Sequence, residues 1–554
     1  MQKRLKSLQE KNYLRWNKFT WVGIVCIIFC GINVTYGLEK YMDVLFWDES
    51  LYLHRGYTMF PPLSKVWGPT YSLWYKFLSF FISDKVVLYY FNFKLTTILV
   101  CILLFLFLLS CGIQRVLSFI FAVLFLSSFI NMPVWPRVSH FCIIVILTGL
   151  LIAKYQKTYL SKFIILSFAF LICGFARPEL YLGFLVCYTI SIIIFLVNIK
   201  HINKIAFLEM TLLTVFVLLI YKFLGTPLSG GDSSRGFGVL IQHFAMNLSQ
   251  WHNDNSPFWI DFKETIYKYC VIPDHATWPK ILEKNPALLQ KHFLSNLINY
   301  LTQTSKIIIS FFAPVFTKQF HWLCLMICIM LFVVYFSYSK KSIKKRLRFY
   351  SLIKNNSFTI FIVFLFAIVP IFVCIYAYPR AHYLVLQVPF LLLFIAFIIS
   401  SVSVEIDKPI QKITVITAIL FFVLPSAEDF SYFSLFRKED CLCNKNTITY
   451  IKKHFSEKDT VTTLDLEGGL SNLLPNNFIN YNYIYLKDKE QLTISKFIDS
   501  NKFDIIYLTP TLVHLHSVQN DTMFFDLINN PKKYGYTSQK TGNFTPSLLI
   551  RITK

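Results

Sequence analysis

A chain of 554 residues that is 55% hydrophobic and only 15% charged, with a mean hydropathy of +0.52, is predicted to be a polytopic membrane protein with polar appendages. The formal net charge is +24, but the basic residues lie mainly in short loops between apolar runs, where they orient membrane helices. This distribution argues against a nucleic acid partner.

The N-terminal segment, residues 1–19, is predicted to lie in the cytoplasm. The apolar run that follows it is longer than the apolar core of a cleavable signal peptide, and no A-x-A pattern comes after it. We therefore expect an uncleaved anchor. The segment's six basic residues, which favour the inner side, are Lys3, Arg4, Lys6, Lys11, Arg15 and Lys18.

An acidic pair, Asp48 and Glu49, follows closely on the first apolar run. A charged side chain costs about 2.5 to 3.5 kcal/mol at a bilayer centre, so acids close to a membrane indicate a candidate functional site. If Asp48 begins a short helix, Tyr52 and Arg55 share its face at i+4 and i+7. The alternative is that both acids cap a solvated surface helix, because acids suit a helix N-terminus.

Eleven membrane spans of about 15 to 25 residues are predicted along the chain. When the loops alternate between the two sides, every inner loop is basic, as the positive-inside rule requires. An odd number of spans then places the C-terminus outside the cytoplasm. The predicted spans are residues 20–38, 86–110, 114–131, 138–153, 163–176, 180–198, 205–223, 320–338, 358–377, 383–401 and 413–428.

This map divides the chain into a membrane domain, residues 20–430, and an extracytoplasmic domain, residues 431–554. Two long outer loops, residues 39–85 and 225–305, belong to the membrane domain. The first continues into an aromatic and proline-containing segment, Lys65–Tyr75, which is typical of a helix lying in the membrane interface. The second is long and rich in Trp and Phe, which favours a folded, functional loop over a disordered one.

The C-terminal domain is predicted to be a small α/β unit with its own core. Its Glu-Gly-Gly sequence is too short to indicate a phosphate-binding loop. We therefore expect a lid or a stabilising cap in preference to a second active site. The expected strands are residues 460–464, 503–508 and 547–552, and the expected helices are residues 446–455 and 492–501.

Cysteines and histidines give weaker signals. Of the 13 cysteines, nine lie in predicted spans and Cys111 directly follows one, which leaves open a disulfide from Cys270 to either Cys441 or Cys443 on the oxidising side. No group of residues has zinc-ligand spacing and no Asp-x-Asp lies near the acidic pair, so no cofactor is expected; a divalent metal is compatible with the sequence but not indicated by it. His243 lies in the second outer loop, facing the expected site.

Three predicted outer turns each contain an arginine, against the positive-inside rule. They are Arg137, Arg177 and Arg380. Guanidinium groups bind phosphate bidentately, so an anionic group held at the outer membrane surface would explain all three. The alternative is that each arginine snorkels or pairs with a local acid, as Glu179 offers to Arg177. Three arginines at one depth favour the phosphate.

Together these features resemble the GT-C superfamily of membrane glycosyltransferases. The likeness rests on the acidic pair at the head of the first outer loop, the interfacial aromatic segment after it, the Arg-Pro-Glu turn at Arg177, the late Pro-Arg-x-x-Tyr turn at Arg380 and a soluble C-terminal domain. Within the superfamily, the chain is most similar to the protein O-mannosyltransferases and the lipid A aminoarabinose transferases. The likeness covers the whole membrane part, by layout more than by strict motif.

The chain departs from the aminoarabinose transferases at two places. Those enzymes have an arginine two residues after their acidic pair, where this chain has Leu51. Their Lys-Pro-Pro-Leu segment corresponds only loosely to Lys65 with Trp67, Gly68 and Pro69. Phosphate contacts are therefore expected from Arg55 or from the turn arginines.

The resemblance implies transfer of a hexose or pentose from a polyprenyl-phosphate sugar donor to a lipid, glycan or protein acceptor at the outer face of a bacterial inner membrane, among membrane lipids. Asp48, with Glu49 beside it, would supply the general base, since the acceptor hydroxyl must lose a proton as it attacks the anomeric carbon. A single, inverting displacement is favoured. The donor phosphate would be bound by Arg55, Arg177, Arg380, Arg137 and Lys65, and the substrates by Tyr52, His243, Arg235, His382 and Tyr383.

Two alternatives stay open. A transporter or flippase of lipid-linked sugars would also need outer arginines and many spans, although transporters commonly have internal repeats and midplane sites, whereas the polar candidates here cluster at one face. A polymerase or ligase of glycan chains is a nearer alternative. It differs in the length of the transferred glycan, which the sequence does not report.

Overall fold

In the computed structural model of the chain, the described residues form a mainly helical assembly with one small sheet. The described residues are 18–46, 48–59, 62, 68–132, 134–201, 204–228, 235–254, 262–270, 284–312, 342–402, 412–413, 442–455, 460–465, 469–481, 493–509, 518, 520–541 and 548–552.

Seven of the described helices are long and apolar enough to cross a membrane, and two shorter apolar helices, Arg115–Leu126 and Val138–Lys154, accompany them. All nine coincide with predicted spans, which confirms the expected helical membrane protein. The remaining predicted spans, residues 320–338 and 413–428, lie outside the described residues except for residue 413. The total of eleven therefore stays a prediction.

The membrane part consists of α-helices joined by short turns. Their bounds are Lys18–Thr35, Leu38–Tyr41, Asp48–Thr58, Pro69–Ser79, Lys85–Ser110, Arg115–Leu126, Val138–Lys154, Tyr159–Ala176, Tyr181–Val197, Lys204–Leu224, Arg235–His252, Phe262–Cys270, Pro286–Phe312, Ser342–Asn355, Ser357–Tyr376, Ala381–Leu384 and Val388–Val402, with 3-10 turns at Pro178–Leu180, Ile199–His201 and Val385–Gln387.

The Lys85–Ser110 helix is the longest candidate membrane helix among the described residues. Its 26 residues span about 39 Å at 1.5 Å per residue, more than the hydrocarbon core of a bilayer. Asp84 caps its start, because the carboxylate accepts hydrogen bonds from the N–H groups of Val86 and Val87 at 2.8 and 2.9 Å. At its other end, Ser110 O accepts a hydrogen bond from Lys154 Nζ at 2.5 Å.

The first outer loop folds as two helices in close contact. The acidic pair begins the Asp48–Thr58 helix, here called the acid helix, as the sequence predicts. The Pro69–Ser79 helix, here called the tyrosine helix, starts at its proline after Gly68 in a left-handed conformation. A Cβ on Gly56 would lie 2.2 Å from the Ser72 carbonyl oxygen. Only glycine therefore lets the two helices approach this closely.

The described parts of the second outer loop are helical and share a small core. This core includes Phe244, Leu248 and Ile266, with Cys270 buried beside them. Both Cys270 and Cys443 have free thiols. The disulfide between these two residues that the sequence left open is therefore not formed, and Cys270 packs in this core; the other partner that was open, Cys441, lies outside the described residues.

The C-terminal domain contains a five-stranded mixed sheet of order β2-β1-β3-β5-β4. Strands β1, β2 and β3 are parallel, and β5 runs antiparallel between β3 and β4. The strands are β1 Val461–Asp465, β2 Phe478–Tyr481, β3 Ile505–Tyr507, β4 Tyr536–Gln539 and β5 Leu548–Arg551, and the helices are Cys443–Phe455, Ile494–Asn501 and Thr522–Asn529, with 3-10 turns at Ser471–Leu473 and Pro531–Tyr534.

Three of these strands were expected from the sequence, and two were not. The predicted strands are β1, β3 and β5, which form the centre of the sheet and are largely buried. The two missed strands, β2 and β4, are its edges and alternate less clearly between apolar and polar residues. Edge strands bury less surface, so their sequences give a weaker apolar signal.

Candidate functional site

Glu49 is the buried member of the acidic pair, with 2% of its surface exposed. Its Oε1 accepts hydrogen bonds from the hydroxyls of Tyr71, at 2.6 Å, and Tyr75, and from Asn92 Nδ2 at 3.1 Å. Its Oε2 accepts the backbone N–H of Arg137 at 2.8 Å. Glu49 therefore joins the acid helix, the tyrosine helix and the start of the Val138–Lys154 helix.

The environment of Glu49 explains how a carboxyl group is tolerated there. Burial raises the pKa of Glu49, and the hydrogen bonds from Tyr71, Tyr75 and the Arg137 N–H oppose that rise. Burial, followed by the charge of Glu49, raises the pKa of both tyrosines well above the ordinary value. The phenols thus remain donors, and the cluster is satisfied within the protein.

Asp48 differs from its neighbour in its surroundings. Its side chain is only partly buried, and no hydrogen bond or ion pair from another described residue engages its carboxylate. It occupies the first position of the acid helix, at the positive end of the helix dipole. Of the two acids, Asp48 is therefore the one available to an external group.

Tyr52 and Arg55 follow Asp48 along the acid helix, as expected, but the Tyr52 side chain is buried. Its ring is buried and lies edge-on to Tyr71, with ring centroids 5.2 Å apart. Arg55 is partly buried beside His54, whose pKa is lowered to about 4 by burial and then by the charges of Lys85 and Arg55.

Arg137 lies inside the bundle, which corrects the expectation of an outward-facing guanidinium. The side chain is completely buried and stacks over the Phe93 ring at 4.3 Å. Its guanidinium donates to Thr96 Oγ1 at 3.1 Å, Thr97 Oγ1 at 2.8 Å and the Asn131 carbonyl at 2.6 Å. The position of a turn in the sequence does not fix the direction of a long side chain, so this placement was not foreseeable.

Arg177 is paired locally, as the alternative interpretation expected, and also joins a wider cluster. Its Nε lies 2.5 Å from Glu179 Oε1, and its Nη1 donates to Ser139 Oγ at 2.8 Å. Its guanidinium also lies over the Tyr383 ring at 4.4 Å. Ser139 Oγ in turn donates to the His382 carbonyl. The Arg-Pro-Glu turn is thereby fixed to the turn that contains Arg380.

Arg380 is exposed and lies at the rim of this cluster. Its charge acts on His243, which is buried and whose pKa is lowered to about 3 by burial and then by Arg380. The Nδ1–H of His243 donates to the Val239 carbonyl at 2.6 Å, since a carbonyl can only accept. Its Nε2 is left as an acceptor without a partner among the described residues.

The candidate residues thus form two connected groups at one end of the bundle. One is the acidic pair, and the other is here called the arginine cluster, made of Arg177, Arg380, His382, Tyr383 and His243. The connection runs through residues 137–139, because the Arg137 N–H binds Glu49 and Ser139 binds the arginine cluster. Lys65 lies outside the described residues, and of Arg235 only the backbone is described, at the first position of its helix.

A buried polar network that the sequence did not reveal supports the arginine cluster. Asn247 Nδ2 donates to His292 Nδ1 at 2.8 Å and to Asn296 Oδ1 at 3.0 Å. The other polar atoms of His292 and Asn296 reach the carbonyls of residues 375–377 at 2.8 to 3.1 Å. These carbonyls end the Ser357–Tyr376 helix and would otherwise lack donors. The network therefore fixes the backbone just before Arg380.

Sequence signals for the missed residues exist, but they are weak. Tyr71 and Tyr75 are four residues apart on one helix face. Asn92 is a lone amide in an apolar span, where a buried polar group needs partners. Nothing in the sequence indicates that Glu49 is that partner.

No protein-family model matches the chain, and no curated protein or solved structure is significantly similar to it. Function is therefore inferred from the chemistry of the site.

Proposed function

We propose that this chain is a membrane glycosyltransferase of GT-C type, which moves a sugar from a polyprenyl-phosphate donor to an acceptor hydroxyl. The observation that carries the proposal is the different treatment of two adjacent acids. Glu49 is buried and fully hydrogen-bonded, whereas Asp48 is left open at a helix N-terminus. The arginine cluster at the same end of the bundle offers positive charge for a phosphate.

In this reaction, Asp48 is the general base. It takes the proton of the acceptor hydroxyl while the hydroxyl oxygen attacks the anomeric carbon. The bond between that carbon and the phosphate oxygen breaks, and polyprenyl phosphate leaves with the electron pair. One displacement inverts the anomeric centre. The leaving phosphate needs charge stabilisation more than protonation, which is the role assigned to Arg380 and Arg177.

The two arginines contribute unequally under this proposal. Arg380 is exposed, so it is the cation most open to a ligand. Arg177 is buried, partly neutralised by Glu179, and holds Ser139 and Tyr383 in place. By the positive-inside rule, the basic N-terminus is cytoplasmic, and the site with its C-terminal domain faces outward.

The test is mass spectrometry of envelope glycoconjugates from cells that lack the chain and cells that carry it. We expect one glycoform to disappear without the chain, to return with the natural chain and to stay absent with Asp48→Asn. Asp499→Asn, at an exposed acid of the C-terminal domain, is the matched control and should restore the glycoform. An identical glycoconjugate profile in all strains would end the proposal.

An assay of the polyprenyl phosphate released by membranes that contain the chain, run beside this experiment, separates the alternatives. A flippase of lipid-linked sugars moves the donor without consuming it, so no polyprenyl phosphate is released. A polymerase or ligase gives products that differ by many sugar units instead of one. Release of polyprenyl phosphate with addition of a single sugar supports the transferase.

A further inference from the structure

The C-terminal domain contacts the first outer loop just before the acidic pair. Asp43 of the loop caps the Cys443–Phe455 helix: its Oδ2 accepts the N–H of Asn444 and its Oδ1 the N–H of Lys445, both at 2.9 Å. The Asp43 side chain is buried, with 7% exposed. A carboxylate at a helix N-terminus meets unpaired N–H groups and the positive end of the helix dipole.

A second contact surrounds Phe46, two residues before Asp48. The ring of Phe46 lies edge-on to Tyr507, with centroids 6.0 Å apart. Gly469 packs so tightly on Phe46 that a Cβ there would come within 2.1 Å of Phe46 Cβ. Asn444 completes this contact, because its Nδ2 donates to the Val44 carbonyl at 2.7 Å and its Oδ1 accepts the Tyr507 hydroxyl at 2.5 Å.

A third contact lies after the acidic pair. Asn472 Nδ2 donates to Ser50 Oγ at 3.1 Å. Next to it, Lys85 Nζ donates to the Leu474 carbonyl at 2.6 Å. The domain therefore holds the chain on both sides of Asp48. Opening it would expose the buried Asp43 carboxylate and break all three contacts together.

We propose that the C-terminal domain is a fixed wall of the site that positions Asp48, and not a lid that leaves the acid helix during the reaction. The catalytic part of this inference rests on the proposed function, whereas the docking does not. In this role, Phe46, Ser50, Gly469 and Asn472 are positioning residues.

The first test locks the domain in place. The double variant Ser50→Cys with Asn472→Cys puts two thiols where the polar atoms are 3.1 Å apart. A short bifunctional thiol reagent is then added to membranes that contain the full chain. The two single variants are controls for cross-links to the native cysteines, of which Cys443 is partly exposed.

If the domain is a fixed wall, the cross-link forms without substrate and the locked protein transfers at the rate of the same double variant before cross-linking. Loss of transfer on locking, with recovery on reduction, would show a lid and overturn the inference. So would two reactive thiols that fail to cross-link. If the natural chain shows no transfer at all, the proposed function fails, while the cross-linking yield still reports on the docking.

The second test adds a methyl group at the contact between Gly469 and Phe46. Gly469→Ala adds the Cβ that overlaps Phe46, so the acid helix or the domain must shift. We expect at least a tenfold fall in kcat with little change in the donor KM, because the arginine cluster lies on other elements. Gly238→Ala, where a Cβ meets nothing within 4 Å, is the matched control. A Gly469→Ala protein that is folded and has the natural kcat contradicts the positioning role.

Discussion

At the scale of the residue, the two adjacent acids should respond oppositely to the same chemical change. Asp48→Asn keeps shape but removes a base, so we expect transfer to fall about a hundredfold to ten-thousandfold, with thermal stability unchanged. Glu49→Gln places an amide near the Arg137 N–H and weakens the bonds from the tyrosines. Each unsatisfied buried group costs about 1 to 3 kcal/mol, so this variant should unfold at lower temperature.

Transfer rates and melting curves of purified protein in detergent check both halves of this prediction. An Asp48→Asn protein with normal turnover, together with an inactive but stable Glu49→Gln protein, would show that Glu49 and not Asp48 is the general base.

Arg380 is the residue whose removal should most affect use of the donor. A charge-assisted contact is worth about 1.5 to 3 kcal/mol, or about ten- to a hundredfold in rate or affinity. We expect Arg380→Ala to show that loss and Arg380→Lys a smaller one, because lysine keeps the charge without the planar fork. The readout is the transfer rate against donor concentration, with Arg551→Ala, at an exposed arginine, as control.

Arg177→Ala should weaken donor use and also lower stability, since Arg177 is bonded to Glu179 and Ser139. If donor dependence is unchanged in both Arg177→Ala and Arg380→Ala, the arginine cluster is not a phosphate site.

His54 should make the protein sensitive to acid. Its pKa is about 4 in the folded protein against an ordinary 6.5, because burial and two nearby cations disfavour the charged ring. Between those pH values the unfolded chain binds a proton that the folded chain does not, so stability falls as the pH drops through this window. His54→Gln should lose less stability from pH 7 to pH 5 than the natural chain. Melting temperatures across this range, with exposed His454→Gln as control, measure the difference; equal slopes would contradict it.

At the scale of the element, the hydrogen-bond network of Asn247, His292 and Asn296 is expected to hold the turn that contains Arg380 in place. Asn296→Leu removes the donor to the carbonyls of residues 375 and 377. We expect a loss of about 1 to 3 kcal/mol in stability and a raised donor KM, because the turn with Arg380 loses its anchor. Asn198→Ala, at an exposed amide that ends another apolar helix, should change neither. A destabilised Asn296→Leu protein with an unchanged donor KM would limit the network to a structural role.

The elements also show what the sequence could and could not predict. Long apolar runs determine membrane helices almost alone, so all predicted spans within the described residues are present as helices. The start of the acid helix at Asp48 followed from local chemistry. The burial of Glu49 and the inward direction of Arg137 did not, because each depends on partners such as Tyr71 and Asn131 that are distant in sequence. Tertiary contacts decide which of two adjacent acids is free.

At the scale of the whole molecule, contacts at the two ends of the bundle constrain the path of the chain. The C-terminal domain touches Lys85, at the start of the Lys85–Ser110 helix. At the opposite end of that helix, Asn356 Nδ2 donates to the Cys111 carbonyl at 3.0 Å. Asn356 and the C-terminal domain therefore lie at opposite ends of this helix.

The packing of the C-terminal domain predicts the side of the membrane on which this domain lies. Because it packs on the loop after the first span, we expect it on the side opposite to the N-terminus, whatever the number of spans between them. The basic N-terminus is expected inside, so a phosphatase fused after Lys554 should be active outside the cytoplasm and a fluorescent protein fused there should stay dark. Fusions after Lys200, in a predicted inner loop, should give the reverse pattern. A C-terminal reporter active only in the cytoplasm would place Asp48 and the arginine cluster on the inner face, where an outward-facing transfer reaction has no access to its acceptor.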